Sequence, residues 1–152
     1  MQALASLLTP GRAACRVPGI SKKRLFETIA RIISDDQVSL PYNLLLSSFI
    51  AREKLGSTGL GQGIAIPHCR VDNCTHAIGT LITLEDPINF DAPDGEPVDV
   101  LFVLLVPTEA QQQHLDILAG VAGLFSQKAF CDEIRSARDA QSLHSIATTW
   151  TL

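Results

Sequence analysis

The chain has 152 residues, 46% hydrophobic and 18% charged, which suits one compact domain with a real core and excludes a disordered segment. A formal net charge of −4 leaves no basic footprint for nucleic acid. The longest strongly apolar run, residues 100–106, is far too short to cross a bilayer. The opening MQALASLLTPG lacks the basic flank and apolar core of a secretory signal, so the expected compartment is cytoplasmic.

Residues 1–11 read as a loose lead-in closed by Pro10 and Gly11, followed by a short strand over 13–17. Ser21 is placed to cap a helix over 22–34 that carries Leu25, Ile29, Ile32 and Ile33 on one face. A second helix fits 41–55, with Pro41 in its first turn and Gly56 just past its end. Leu45, Phe49 and Arg52 fall near one stripe of it, so Arg52 lies in the last turn.

A glycine-rich loop comes next, then a short apolar run over 64–66 and a strand over 77–84 that Asp86 and Pro87 are expected to break. Pro93, Asp94 and Gly95 signal a turn. Residues 98–106, almost wholly apolar, read as a central strand covered on both faces. Thr108 and Gln111 match a capping box for a helix with Leu115, Leu118, Ala122 and Phe125 at helical spacing. Short helices near 129–135 and 139–149 complete the chain. Buried strands between amphipathic helices give an α/β (or α+β) layered fold, a single domain over residues 1–152.

The chemistry concentrates in REKLGSTGLGQGIAIPHCR, Arg52 through Arg70. Gly59, Gly61 and Gly63 at alternate positions let backbone N–H groups turn inward as an anion-binding nest, and Pro67 then delivers His68. The same pattern also describes an ordinary turn followed by a histidine. It is neither of the common nucleotide loops: no Gly-Lys-Ser/Thr ending is present, and the glycines precede the apolar run. His114, within two turns of the start of a helix that follows the buried strand, can face the same phosphate-sized site. His68, Cys69, Cys74 and His76 are possible zinc ligands within nine residues, but neither the Cys-x₂-Cys nor the His-x₃₋₅-His spacing of zinc modules occurs. No metal or other cofactor is expected.

With these residues in view, the chain resembles the IIA components of bacterial phosphotransferase systems in the mannitol/fructose family, and among them the nitrogen-regulatory IIA proteins. The likeness covers nearly the whole chain. It is most specific in the glycine-loop segment and from Pro97, Val98 and Asp99 to Gln113, His114 and Leu115. It implies a mixed β-sheet with helices on both sides and a phosphorylated histidine at His68, with Arg52 and His114 completing the active site. Ser57, Thr58, Gly61 and Gly63 would supply further hydrogen bonds to the phosphoryl group.

The implied role is a regulatory phosphocarrier. It would take phosphate from the histidine phosphocarrier protein of a nitrogen-type system and act on target proteins such as transporters or sensor kinases, without nucleic acid and without entering the membrane. The alternatives are a sugar-uptake IIA component that passes phosphate to a IIB domain, and a zinc- or ligand-binding regulatory module without phosphoryl transfer.

Overall fold

The computed structural model describes residues 4–19, 21–109 and 111–150. After a 3-10 turn at Pro10–Arg12, the elements run β1 (Ala13–Val17), α1 (Lys22–Asp36), α2 (Tyr42–Lys54), β2 (Gly59–Gly61), β3 (Ile64–Ala65) and β4 (His68–Val71). Then follow β5 (Ile78–Ile88), β6 (Val98–Pro107), α3 (Gln111–Phe125), α4 (Lys128–Ser136) and α5 (Ala140–Thr149).

The six strands form one mixed sheet in the order β1-β5-β6-β3-β2, with β4 also paired to β6. β5 lies antiparallel to β6, while β1 pairs with β5, and β3 and β4 pair with β6, in parallel. β3 and β4 follow β6 at the same offset, Ile64 opposite Val100 and His68 opposite Leu104. They are one strand interrupted at Ile66 and Pro67.

β6 explains the layering. Its residues are buried on both faces, so the sequence shows an unbroken apolar run instead of alternation. Val100, Phe102, Leu104 and Val106 join the cluster made with α3, α4 and α5. Leu101, Val103 and Leu105 join the one made with α1 and α2. Each fully buried side chain of this kind contributes about 1.5–3 kcal/mol. On α1, Ser21 caps the first turn by accepting the Arg24 N–H, and Leu25, Phe26, Ile29, Ala30 and Ile33 face the sheet. Asp139 caps α5 by accepting the Ser142 N–H.

Several expectations are corrected. Residues 1–3 lie outside the described residues, but from Leu4 on the lead-in is not loose: Leu4, Leu7 and Leu8 are buried in the core, and Leu7 O accepts the Gly79 N–H. Arg12, 3% exposed, fixes it by donating to Gly79 O and Leu7 O and pairing with Asp36. β5 runs through Asp86 and Pro87 to Ile88, because the pairing with β1 has already ended at Leu84 and the register with β6 shifts there, so the missing proline N–H breaks no ladder bond. The glycine loop is a hairpin of β2 and β3, and its two-residue turn has Gln62 at φ 57° and Gly63 at φ 83°. Helix α3 begins at Gln111, so Thr108 is not its cap; the Thr108 hydroxyl donates to Asp72 instead. The buried face of α3 carries His114, Val121, Leu124 and Phe125, which leaves Leu115 57% exposed.

Candidate active site

Pro67 lies at the break between β3 and β4, where its carbonyl accepts the Leu104 N–H at 2.9 Å. His68 therefore starts a new run of parallel pairing, on a strand not foreseen from the sequence. Alternation along β4 sets the faces. His68 and Arg70 lie on the α3 side, opposite Leu104 and Val106, and Cys69 packs toward α1 and α2.

His68 Nδ1 stands 2.6 Å from the carbonyl oxygen of Ile66. A carbonyl only accepts, so Nδ1 carries the proton and Nε2 keeps its lone pair. Nε2 lies 3.5 Å from Arg52 Nη2. Burial holds the proton affinity of the His68 ring below the usual histidine value, with the Arg52 charge adding to it and the Ile66 bond and Glu53 opposing. The half-buried ring is thus neutral, oriented and nucleophilic at one nitrogen.

Arg52 comes from the last turn of α2 and is itself anchored, its Nη1 donating to Gly56 O at 3.0 Å. His114, the fourth residue of α3, is 7% exposed, with its ring centroid 5.6 Å from that of His68 and the planes inclined by 52°. Its Nδ1 is buried and has no hydrogen-bond partner among the described residues. Burial, then the neighbouring His68, Arg70 and Arg52, lowers its affinity for a proton. Three residues far apart in sequence therefore meet, with two cationic side chains around two neutral imidazoles.

The other expected site residues are placed differently. Ser57 donates to Phe90 O at 3.1 Å and accepts the Gly59 N–H at 3.1 Å. Thr58 gives both its N–H and its hydroxyl to Glu53. Gly61 ends β2 and Gly63 lies in the hairpin turn; an added Cβ would meet Asp94 at the first and Arg135 and Asp99 at the second. Their surroundings shape the turn and are not those of His68. Arg70, not singled out in the sequence, shares the His68 face of β4, and its charge acts on His114; with that strand unforeseen, no signal in the sequence finds it.

Among the described residues, no three His, Cys, Asp or Glu side chains converge to hold a metal ion. Burial and the nearby Cys74 push the Cys69 thiol up to about 12. Cys74 Sγ donates to His76 O at 2.9 Å. No helix among the described residues is long and apolar enough to cross a membrane.

Residues 7–149 match the family model described as phosphoenolpyruvate-dependent sugar phosphotransferase system, EIIA 2. The chain is 46% identical over 143 residues to a nitrogen regulatory protein of Pseudomonas aeruginosa, covering 94% of this chain and 93% of that one. Its fold superposes on the nitrogen regulatory protein IIA-Ntr of Neisseria meningitidis with a TM-score of 0.88 at 40% identity, covering 95% and 99% of the two chains. Escherichia coli mannitol enzyme IIA, solved in complex with its phosphorylated enzyme IIB, has the same fold at a TM-score of 0.74 and 10% identity, covering 92% and 96%. The chain belongs to the EIIA 2 family of the phosphotransferase system, on the nitrogen-regulatory side of it.

Proposed function

We propose that the protein is a cytoplasmic phosphocarrier that accepts a phosphoryl group on His68 Nε2 from a phosphohistidine donor and regulates other proteins by its phosphorylation state. The observation that carries this is the His68 ring itself, with its proton held at Nδ1 by Ile66 and Nε2 open toward Arg52.

In the step, Nε2 attacks phosphorus as the donor N–P bond breaks. The donor ring, protonated on its other nitrogen, leaves with that electron pair as a neutral imidazole, and His68, which keeps its proton on Nδ1, takes over the positive charge. One N–P bond replaces another, so the reaction is near balance and positioning with charge neutralisation supplies the catalysis. Arg52 meets the phosphoryl oxygens with paired N–H donors. The neutral His114 ring, beside His68, donates a further hydrogen bond. Ser57, Thr58, Gly61 and Gly63, given direct phosphate contacts on sequence grounds, have in this reading a supporting part: they hold the loop and the hairpin that carry the reacting groups.

The donor fitting this chemistry is the histidine phosphocarrier protein of a nitrogen-type system, and the targets are proteins whose docking changes when about two negative charges appear at His68. The likeness to nitrogen regulatory proteins favours this over a sugar-uptake role. The shared fold with a IIA protein solved on its IIB partner makes transfer to a IIB domain the second reading. The test is incubation with the phosphorylated carrier. Wild type should gain one phosphate, labile in acid and stable in base, and His68→Ala none. Normal labelling of His68→Ala would overturn the assignment, and rapid onward transfer to a IIB domain would favour the second reading.

A further inference from the structure

Behind Arg52 stands a carboxylate with no part in the step just described. Glu53 follows Arg52 on α2, about 100° further round the helix, and its side chain is only 8% exposed. A charge so buried is costly unless it is paired; this one is hydrogen-bonded at Oε1 and ion-paired at Oε2, although Oε2 makes no hydrogen bond of good geometry among the described residues. Its Oε1 accepts the Thr58 N–H at 3.1 Å and the Thr58 hydroxyl. Its Oε2 meets Lys22 Nζ at 2.5 Å.

Lys22 Nζ also donates to Phe90 O at 3.1 Å and lies 4.4 Å from the centroid of the Phe90 ring. Ser57 donates to that same carbonyl. One carboxylate thus ties the start of α1, the end of α2, the loop before β2 and the chain beyond β5. Two lines of bonds lead from it to the reacting groups. Gly56, whose carbonyl anchors Arg52 Nη1, sits in the short loop between Glu53 and Thr58. Thr58 O accepts the Ile66 N–H at 3.0 Å, and Ile66 O fixes the His68 ring.

We infer that Glu53 is a positioning residue for phosphoryl transfer, which clamps the loop so that Arg52 stays turned to His68; this rests on the reading of His68 as the phosphorylated nucleophile. Arg52 supplies the charge, and Glu53 with Lys22 supplies its aim. A displacement of about 1 Å at such a distance from the chemistry can cost on the order of 10²-fold in rate.

The experiment measures phosphate uptake from the phosphorylated carrier by wild type, Glu53→Ala, Glu53→Gln, Lys22→Met, Arg52→Ala and the Arg52→Ala/Glu53→Ala double variant. Glu53→Ala should still end at one phosphate on His68, with transfer at saturating donor slowed about 10- to 100-fold and KM for the donor little changed. Glu53→Gln, which keeps an acceptor for Thr58, should recover most of the rate, and Lys22→Met should slow it in the same sense. In the Arg52→Ala background, removal of Glu53 should add much less than it costs alone, because most of its effect passes through Arg52 and only the remainder through Thr58 and Ile66 to His68.

Wild-type rates in Glu53→Ala, or full multiplicative slowing in the double variant, would overturn the positioning role while leaving His68 as the phosphorylation site. A wild-type protein that takes no label would overturn the function itself, and this inference with it. Should Glu53→Ala fail to fold, Glu53→Gln and Lys22→Met, which preserve packing, decide: wild-type rates in both would sink the proposal.

Discussion

The imidazoles of His68 and His114 lie with centroids 5.6 Å apart, and each is held in an environment that discourages protonation. Burial is the leading cause for both, and Arg52 acts on both. The pair is built to stay neutral while surrounded by positive charge, the condition in which one ring can attack and the other can donate.

The first prediction concerns pH. Both rings should titrate below about 6.5, the ordinary histidine value, read as two low midpoints in an NMR titration of the imidazole resonances. A depressed folded value also has a stability sign. Above about 6.5 both rings are neutral whether folded or unfolded. As pH falls through 6.5 the unfolded chain takes up protons first, so stability is lost until the lower folded values are passed. Urea unfolding at pH 7.5 and pH 5.5 should show that loss, and His114→Gln should reduce it.

His114→Gln should fold and still accept one phosphate, but at a rate lower by about 10²- to 10³-fold, the usual cost of one donor to a transition-state oxyanion. Quenched-flow transfer from the carrier measures this directly. A rate equal to wild type would return His114 to an ordinary place on the helix face.

Arg70 is exposed, yet its charge is among those that lower the proton affinity of His114. Arg70→Met should therefore raise the His114 midpoint and leave the Nδ1 proton of His68 on Ile66. NMR of the two rings separates these effects, and an unmoved His114 midpoint would remove Arg70 from the site.

Gly63 has φ 83°, and a Cβ there would stand 2.7 Å from Arg135 Nη2 and 2.9 Å from Asp99 Oδ1. Gly63→Ala must strain the turn and also disturb the ion pair between Arg135 and Asp99, 2.9 Å apart. A loss of about 1–3 kcal/mol in denaturant unfolding is expected. Gly56→Ala, with open space around it, has only its own backbone strain to bear and should cost less.

Arg12 and Asp36 are joined at 2.5 Å, with Arg12 almost wholly enclosed. Arg12→Ala should cost about 3–5 kcal/mol, the price of leaving a buried charge network half-made. The Asp36 carboxyl is raised by burial, but bonds from Gln37, Arg12 and Thr9 outweigh this and lower it. Its contribution is therefore present above about pH 4 and lost as pH falls through the lower folded value. Acid unfolding of Asp36→Asn should show a weaker dependence over that range.

The layered fold was legible because its signals are local: the Ser21 cap, the period of α1, and the apolar run of β6. His68, Arg52 and His114 were legible through the wording of the glycine-loop segment and the helix after β6, and the structure brings the three together. What was hidden depends on tertiary partners. Nothing near Pro87 reveals that β1 has ended by then, and four residues at 68–71 carry too little pattern to announce a strand. Leu115 looked like a core residue by spacing, but the turn of α3 gives that inward place to His114, a polar residue. Glu53 carries no signal of its own in the sequence, since its partners Lys22 and Thr58 are brought to it only by the fold.

The side chains proposed to carry the transfer belong to different halves of the molecule. Arg52 rides on α2, whose apolar residues pack on one face of the sheet, and His114 on α3, which packs on the other; His68 is carried by a strand between them. The site is therefore a gauge of how the two layers are aligned. A slip of either helix layer along the sheet, too small to unfold anything, would part the guanidinium from the second imidazole and silence the histidine.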